Sequence, residues 1–230
     1  MQVLQYNRRQ KRKGDIMMTN VLVLGANGKI AKLATAQLLE NDQNQLTLFL
    51  RNAKRLADAA SDRVKVVEGD ASNEADLKAA MTGIDIVYAN LAGHNIEAEA
   101  KAVVAAMTAS HVDRLIWIST LGIYDEVPGN YGKWNHQMLD GGYLETYAAA
   151  AKVIEDSDIN YTLIRPAWLD NKDEIDYETT KKGEAFKGTE VSRKSIAAVV
   201  AKLVADPSQA NRESLGVNKP NTDGDKPAWY

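Results

Sequence analysis

The chain of 230 residues contains no cysteine. That absence excludes disulfides, thiolate nucleophiles and cysteine-ligated metals, and it fits a reducing cytoplasmic setting. Histidine is nearly absent too. His94, His111 and His136 are the three present, and their spacing matches no metal-ligand pattern, so no metal site is expected. No run approaches the roughly 18 apolar residues that a membrane helix needs, so the expectation is a soluble protein with no membrane partner.

The charge balance carries its own exclusion. Arg8, Arg9, Lys11, Arg12 and Lys13 against Asp15 alone give residues 1 to 18 a charge of +4, so the formal −3 of the chain leaves −7 for the rest. A body that acidic argues against nucleic acid as its main partner. The basic leader has neither the apolar stretch of a secretory signal nor the Ser-rich composition of a transit peptide, and it is expected to be a disordered extension. With 45% hydrophobic residues, the remaining 19–230 are enough for one substantial core and one domain.

The most informative stretch is NVLVLGANGKIA, Asn20 to Ala31. Val21 to Leu24 read as a strand buried on both faces, and Ile30, Leu33, Ala34 and Leu38 lie at helical spacing just beyond. Between strand and helix stand Gly25, Gly28 and Ala31, spaced for a tight turn, close approach of a ligand to backbone, and close packing of helix on strand. A helix N-terminus at such a turn suits a pyrophosphate. The same glycines also serve a turn with no ligand. LTLFLRN, VKVVEGD, IDIVYANLAG, RLIWIST and YTLIRPAWL then read as further strands separated mostly by helical patterns. This alternation predicts a doubly wound, Rossmann-type parallel sheet flanked by helices, with ligands at the carboxyl ends of its strands.

Along the chain, Gln45 to Leu50 forms the second strand, and Arg51 at its end can pair with a 2′-phosphate or simply be solvated. Asp70 follows the third strand, where it either meets adenine or caps its own turn. Ala89 to Gly93 leave the fourth strand as a second crevice wall, and His94 stands at the mouth or on plain surface. A helix is expected from about Ile96 to Ser110. Thr120 to Gly142 reads as a long loop at the substrate site, with Tyr124, Tyr131 and Trp134 as its walls or as packing. Leu144, Tyr147, Ala148, Ala151 and Ile154 mark the buried face of the next helix. Asp170 to Gly188 is a charged insertion forming a lid or a mobile rim. A last helix starts near Ser192, and Leu215 to Val217 can add a terminal strand.

Taken in order, GANGKIA, Arg51, GDAS at Gly69 to Ser72, ANLAG at Ala89 to Gly93, RLIWISTLGIYD and the run from Lys152 through INYTLIRPAWL resemble the atypical short-chain dehydrogenase/reductases, the NmrA-like and biliverdin-reductase-B-like NAD(P)-binding proteins. The resemblance implies NADP(H) in preference to NAD(H). Its cofactor residues would be Gly25, Asn27, Gly28, Lys29 and Ile30; Arg51 and Asn52; Asp70 and Ala71; Asn90, Leu91, Ala92 and Gly93; Ser119; Lys152; and Pro166, Ala167 and Trp168. Its catalytic residues would be Thr120, Tyr124 four residues later, and Lys152 holding the nicotinamide ribose. The lysine pattern puts Ala148 where such enzymes carry tyrosine, so the proton would come from Tyr124, His136 or solvent. The implied function is NADPH-dependent reduction of a small carbonyl, quinone, flavin or other conjugated acceptor. A non-catalytic NADP-responsive regulator with a protein partner is the alternative, and a nucleotide-sugar epimerase or dehydratase the third.

Overall fold

A computed structural model describes residues 18–139 and 141–230. The expected leader lies, apart from Met18, outside the described residues. The chain opens with β1 (Thr19–Leu24), α1 (Lys29–Leu39), β2 (Asn44–Leu50), a 3₁₀ segment (Ala53–Ala59), β3 (Val64–Glu68), α2 (Glu74–Ala80), β4 (Ile86–Ala89) and α3 (Ile96–Ser110). It continues with β5 (Arg114–Ile118), α4 (Gly129–Leu139), α5 (Tyr143–Glu155), β6 (Asn160–Pro166), β7 (Trp168–Asp170), β8 (Glu178–Lys181), β9 (Glu190–Ser192), α6 (Arg193–Ala205) and β10 (Glu213–Asn218).

Eight strands form one sheet in the order β3-β2-β1-β4-β5-β6-β10-β8, parallel except for β8, which runs antiparallel to β10. The doubly wound α/β fold expected from the sequence is therefore present. From β1 the chain winds outward through β2 and β3, then returns to place β4 on the other side of β1. That reversal opens a crevice beyond the carboxyl ends of β1 and β4.

The four aliphatic residues of β1 are fully buried, and they alternate between the two layers as a strand's side chains must. Val21 and Val23 join the core beneath α1 and α6, whereas Leu22 and Leu24 join the one beneath α2, α3 and α5. One departure from the helical pattern falls on α1. Its buried face is Ile30, Ala31, Ala34 and Leu38, so Leu33 is turned to solvent. On α5 the buried set includes Ala150, while Ala148 is only partly covered.

The stretch read as one long loop, Thr120 to Gly142, contains α4. Its buried positions are Tyr131, Gly132 and Asn135. A Cβ at Gly132 would stand 2.1 Å from the Val127 carbonyl oxygen, so this helix seats itself on glycine and amide rather than on an aliphatic stripe. The charged insertion after Asp170 is also more ordered than its composition suggests. It supplies β8, which completes the sheet edge, and it leads into β9, which pairs with β7. Among the described residues no helix is long and apolar enough to cross a membrane.

Candidate functional site

The turn between β1 and α1 is shaped by its neighbour across the crevice. Gly25 has φ +70°, and a Cβ there would lie 2.4 Å from the Asn90 carbonyl oxygen; one on Gly28 would meet the Asn90 side chain. Gly25 and Ala26 both donate to the Phe49 carbonyl. The backbone is thus pinned between β2 and the exit of β4. Gly28 caps α1 without a side-chain acceptor, and no acidic residue stands in the first turn, so N–H groups and the positive end of the helix dipole face outward.

Around this turn lies a crevice of about 450 Å³. Gly25, Asn27, Gly28, Arg51, Asn52, Ala71, Asn90, Leu91 and Ala92 line it, nine of the cofactor positions expected from sequence. Phe49, Leu50, Arg55, Gly69 and Glu99 line it as well and were not foreseen. Arg55 stands one helical turn after Arg51, a spacing that could have signalled a second cation. Glu99 is one turn into α3. Burial raises its carboxyl pKa, and nearby Asp70 adds to this while Arg51 and His94 oppose it.

Several expected residues sit elsewhere. Lys29 is exposed at the start of α1 and Ile30 is in the core. Asp70 serves its own turn: Oδ1 accepts from Ser72 N at 2.8 Å and from Ser72 Oγ at 2.7 Å, bonds that hold its pKa below the ordinary carboxylate value. Its neighbours Gly69 and Ala71, not Asp70, line the crevice.

A second cavity of about 350 Å³ opens at the ends of β5 and β6, the strands next to β4 on the same sheet edge. It gathers Ser119, Thr120, Pro166, Ala167 and Trp168, all five expected around the cofactor or its acceptor. Ser119 Oγ is buried with no hydrogen-bond partner among the described residues. Leu121, Leu139, Tyr143, Leu169, Arg193, Trp229 and Tyr230 complete the lining and were not among the expected site residues.

Tyr143, not position 148, brings a tyrosine to this cavity. It opens α5, and its ring stacks on that of Tyr147 at 4.5 Å. Burial pushes the Tyr147 pKa up, so it stays neutral. Gly93 does not line the crevice.

Lys152 and Tyr124 line neither cavity. Lys152 is exposed on the far turns of α5 and pairs with Asp156 at 2.8 Å; that partner raises its pKa. It lies nine residues past Tyr143, about 13 Å along the helix, and lines neither cavity. Tyr124 turns into a separate polar cluster, donating to Glu155 Oε1 at 2.7 Å with Arg165 and Lys182 over its ring. Burial raises its pKa. Tyr131 is packed inside, its hydroxyl donating to the Thr189 carbonyl, and Trp134 backs the cavity wall without lining it. His136 is on α4 beside Asp125 at 3.2 Å, and His94 is an exposed loop residue. Among the described residues no cluster of three or more His, Cys, Asp or Glu is placed to hold a metal.

Known proteins share both the sequence and the geometry. The profile of a family described as NAD(P)H-binding matches residues 25–207. The chain belongs to this NAD(P)H-binding family. Its members with solved structures include a Rossmann-fold NAD(P)-binding family protein from Shigella flexneri, 42% identical, with TM-score 0.80 over 91% of this chain and 98% of that one. A short-chain dehydrogenase/reductase from Veillonella parvula, solved in complex with NADP, is 30% identical with TM-score 0.86 over 92% of this chain and 100% of its own. The Bacillus subtilis protein YhfK, named an uncharacterized sugar epimerase, is 26% identical over 90% of this chain and 95% of its own length. This NAD(P)H-binding protein is thus related to short-chain dehydrogenase/reductases of known structure. Its crevice fits a dinucleotide: an uncapped helix end, a glycine turn held open by Asn90, and cations at the end of β2.

Proposed function

We propose that this protein is an NADPH-dependent reductase that passes hydride to a small carbonyl, quinone or other conjugated acceptor. The observation that carries the reading is the second cavity. It adjoins the dinucleotide crevice along one sheet edge and presents the hydroxyls of Ser119, Thr120 and Tyr143 among apolar walls. A protein that only sensed its cofactor would need the crevice alone. Preference for NADPH over NADH is supported by Arg51 and Arg55, with no carboxylate at the end of β2 to hold a ribose diol. The Veillonella relative bound to NADP supports the same choice.

When bound, the nicotinamide supplies the hydride. Ser119 and Thr120, fixed by β5, hydrogen-bond the acceptor oxygen. Tyr143 gives that oxygen its proton as the neighbouring carbon gains hydride, and Tyr147 keeps the phenol in place. The test is NADPH oxidation followed with a panel of aldehydes, quinones and flavins, using wild type and Tyr143→Phe. The expected result is turnover that falls about 100-fold in the variant while its affinity for NADPH is unchanged. Tight NADPH binding without oxidation by any acceptor would overturn the reading.

One observation favours a non-catalytic, NADP-responsive regulator instead: no lysine lines either cavity among the described residues, and Tyr147 stands four residues after Tyr143 where a lysine would hold the ribose. The name of YhfK supports a third route, sugar epimerisation, in which the hydride returns to the sugar and no net NADPH is consumed.

A further inference from the structure

We propose that the second cavity selects planar, conjugated molecules that carry a carboxylate, with Arg193 binding the anion and the aromatic walls binding the ring. This rests on the reading of the cavity as the substrate site. Among the described residues lining the cavity, Arg193 is the one with a charged side chain.

The guanidinium is half held and half open. Its Nη1 makes every hydrogen bond it has within the protein: to the carbonyls of Leu169 at 3.2 Å and Asp170 at 3.0 Å, and to Asn171 Oδ1 at 2.9 Å. These bonds fix the plane of the group and leave Nε and Nη2 without a hydrogen-bond partner among the described residues. Those two nitrogens share one edge of the guanidinium, the edge that meets the two oxygens of a carboxylate in parallel. Asp170 stands close enough for its charge to act on Arg193, but no hydrogen bond joins the two side chains: its Oδ1 accepts from Lys172 N at 2.9 Å, and its buried Oδ2, without a hydrogen bond among the described residues, lies 3.4 Å from Lys172 Nζ. Arg193 is also partly buried, so it has lost some of the water that would otherwise satisfy it. An incoming anion restores that lost solvation, whereas a neutral group does so only weakly.

The walls explain why the anion should sit on a flat ring. Trp168, Tyr143, Trp229 and Tyr230 face the cavity. Trp168 cannot turn freely, because its Nε1 donates to Oδ1 of the fully buried Asn135 at 3.0 Å. Trp134 supports it from behind, with ring centroids 4.7 Å from Trp168 and 5.1 Å from Tyr230. The fixed face of Trp168 favours a ligand with a π-face of its own, since a flexible aliphatic chain gains no stacking from it. The unpartnered Ser119 hydroxyl provides a hydrogen bond for a carbonyl oxygen on the same ring system.

Isothermal titration calorimetry of the NADP⁺-saturated protein with 2-naphthoate and with its neutral isostere 2-naphthamide tests the assignment without turnover. Wild type should bind the carboxylate at least about tenfold more tightly, the value of one charge-assisted contact. Arg193→Gln should erase that preference, and Arg193→Lys should keep part of it. An unchanged NADPH affinity shows that each variant is folded. Equal binding of the two probes by wild type, no binding of either, or a preference that survives Arg193→Gln would overturn the proposal. If the preference is seen but no acceptor is reduced, the anion site stands and the reductase reading falls; turnover without the preference gives the reverse.

Discussion

The guanidinium of Arg165 has no solvent exposure, and its charge is met by Glu126, whose side chain is 4% exposed. Arg165 also donates to Ser214 Oγ and the Ser214 carbonyl, while Glu126 accepts from the backbone of Gly122 and Tyr124. This pair, not catalysis, fixes the chain around Tyr124. Removing Glu126 leaves a buried cation with no counter-charge, which typically costs about 3–5 kcal/mol. Glu126→Ala should therefore lower the urea midpoint by that much stability. Lys152→Ala removes only an exposed pair with Asp156 and should leave the urea midpoint and the NADPH affinity unchanged. A loss of NADPH affinity in Lys152→Ala would return that lysine to the site. Spacing alone suggested the opposite weighting, because a Lys on a helix shows its register in sequence but not which face the neighbouring α3 covers. Gly25, Gly28 and Arg51 were legible for the converse reason: a strand-to-helix turn and a strand end have their geometry set locally.

Among the elements, β9 links the core to the cavity's outer wall. Glu190, the first residue of β9, is buried; it accepts from Ala228 N at 3.0 Å and from Lys172 Nζ at 2.9 Å, while its own carbonyl accepts from Lys219 N. The segment 219–230, which brings Trp229 and Tyr230 to the cavity, is therefore seated on one carboxylate. Burial works to raise the Glu190 pKa, but the Ala228 N–H, Lys172 and Lys219 outweigh it and the value lies below the ordinary 4.5. A carboxyl with a depressed folded-state pKa stabilises the fold fully above its unfolded value and loses that contribution as pH falls through the folded value. The seat should thus contribute fully above about pH 4.5, weaken as pH falls below that, and release once pH passes the lower folded-state value. Tryptophan emission should shift red and become less quenched in acid; Glu190→Ala should show that spectrum already at neutral pH and lose the transition. An acid transition that persists in Glu190→Ala would refute this. None of the seat was legible in the sequence. The strands β1, β2, β5 and β6 announce themselves as aliphatic runs, and α3 was read with its bounds unchanged. By contrast, β7 to β9 are three or four residues long and mostly polar, and α4 buries glycine and asparagine. Such elements are held by partners distant in sequence, so no local pattern marks them.

At the scale of the whole molecule, the dinucleotide crevice draws on the ends of β3, β2, β1 and β4, half of the main sheet. None of that geometry exists in the unfolded chain, so a ligand that fills it stabilises the entire fold by mass action. At a free concentration 100 times Kd the gain is about 2.7 kcal/mol. For a domain of this size each kcal/mol raises Tm by roughly 2–4 °C, so NADPH should raise it by roughly 5–11 °C. NADH at the same concentration should give a smaller rise, because Arg51 and Arg55 have no 2′-phosphate to meet. Arg51 is exposed, so Arg51→Ala should leave the ligand-free Tm nearly where it was while reducing the NADPH shift toward that of NADH. Thermal melts of both proteins with each nucleotide read all of this in one experiment. Equal shifts with NADPH and NADH in the wild type would remove the arginines from cofactor choice. No shift with either would mean that the glycine turn shapes the sheet edge without holding a dinucleotide.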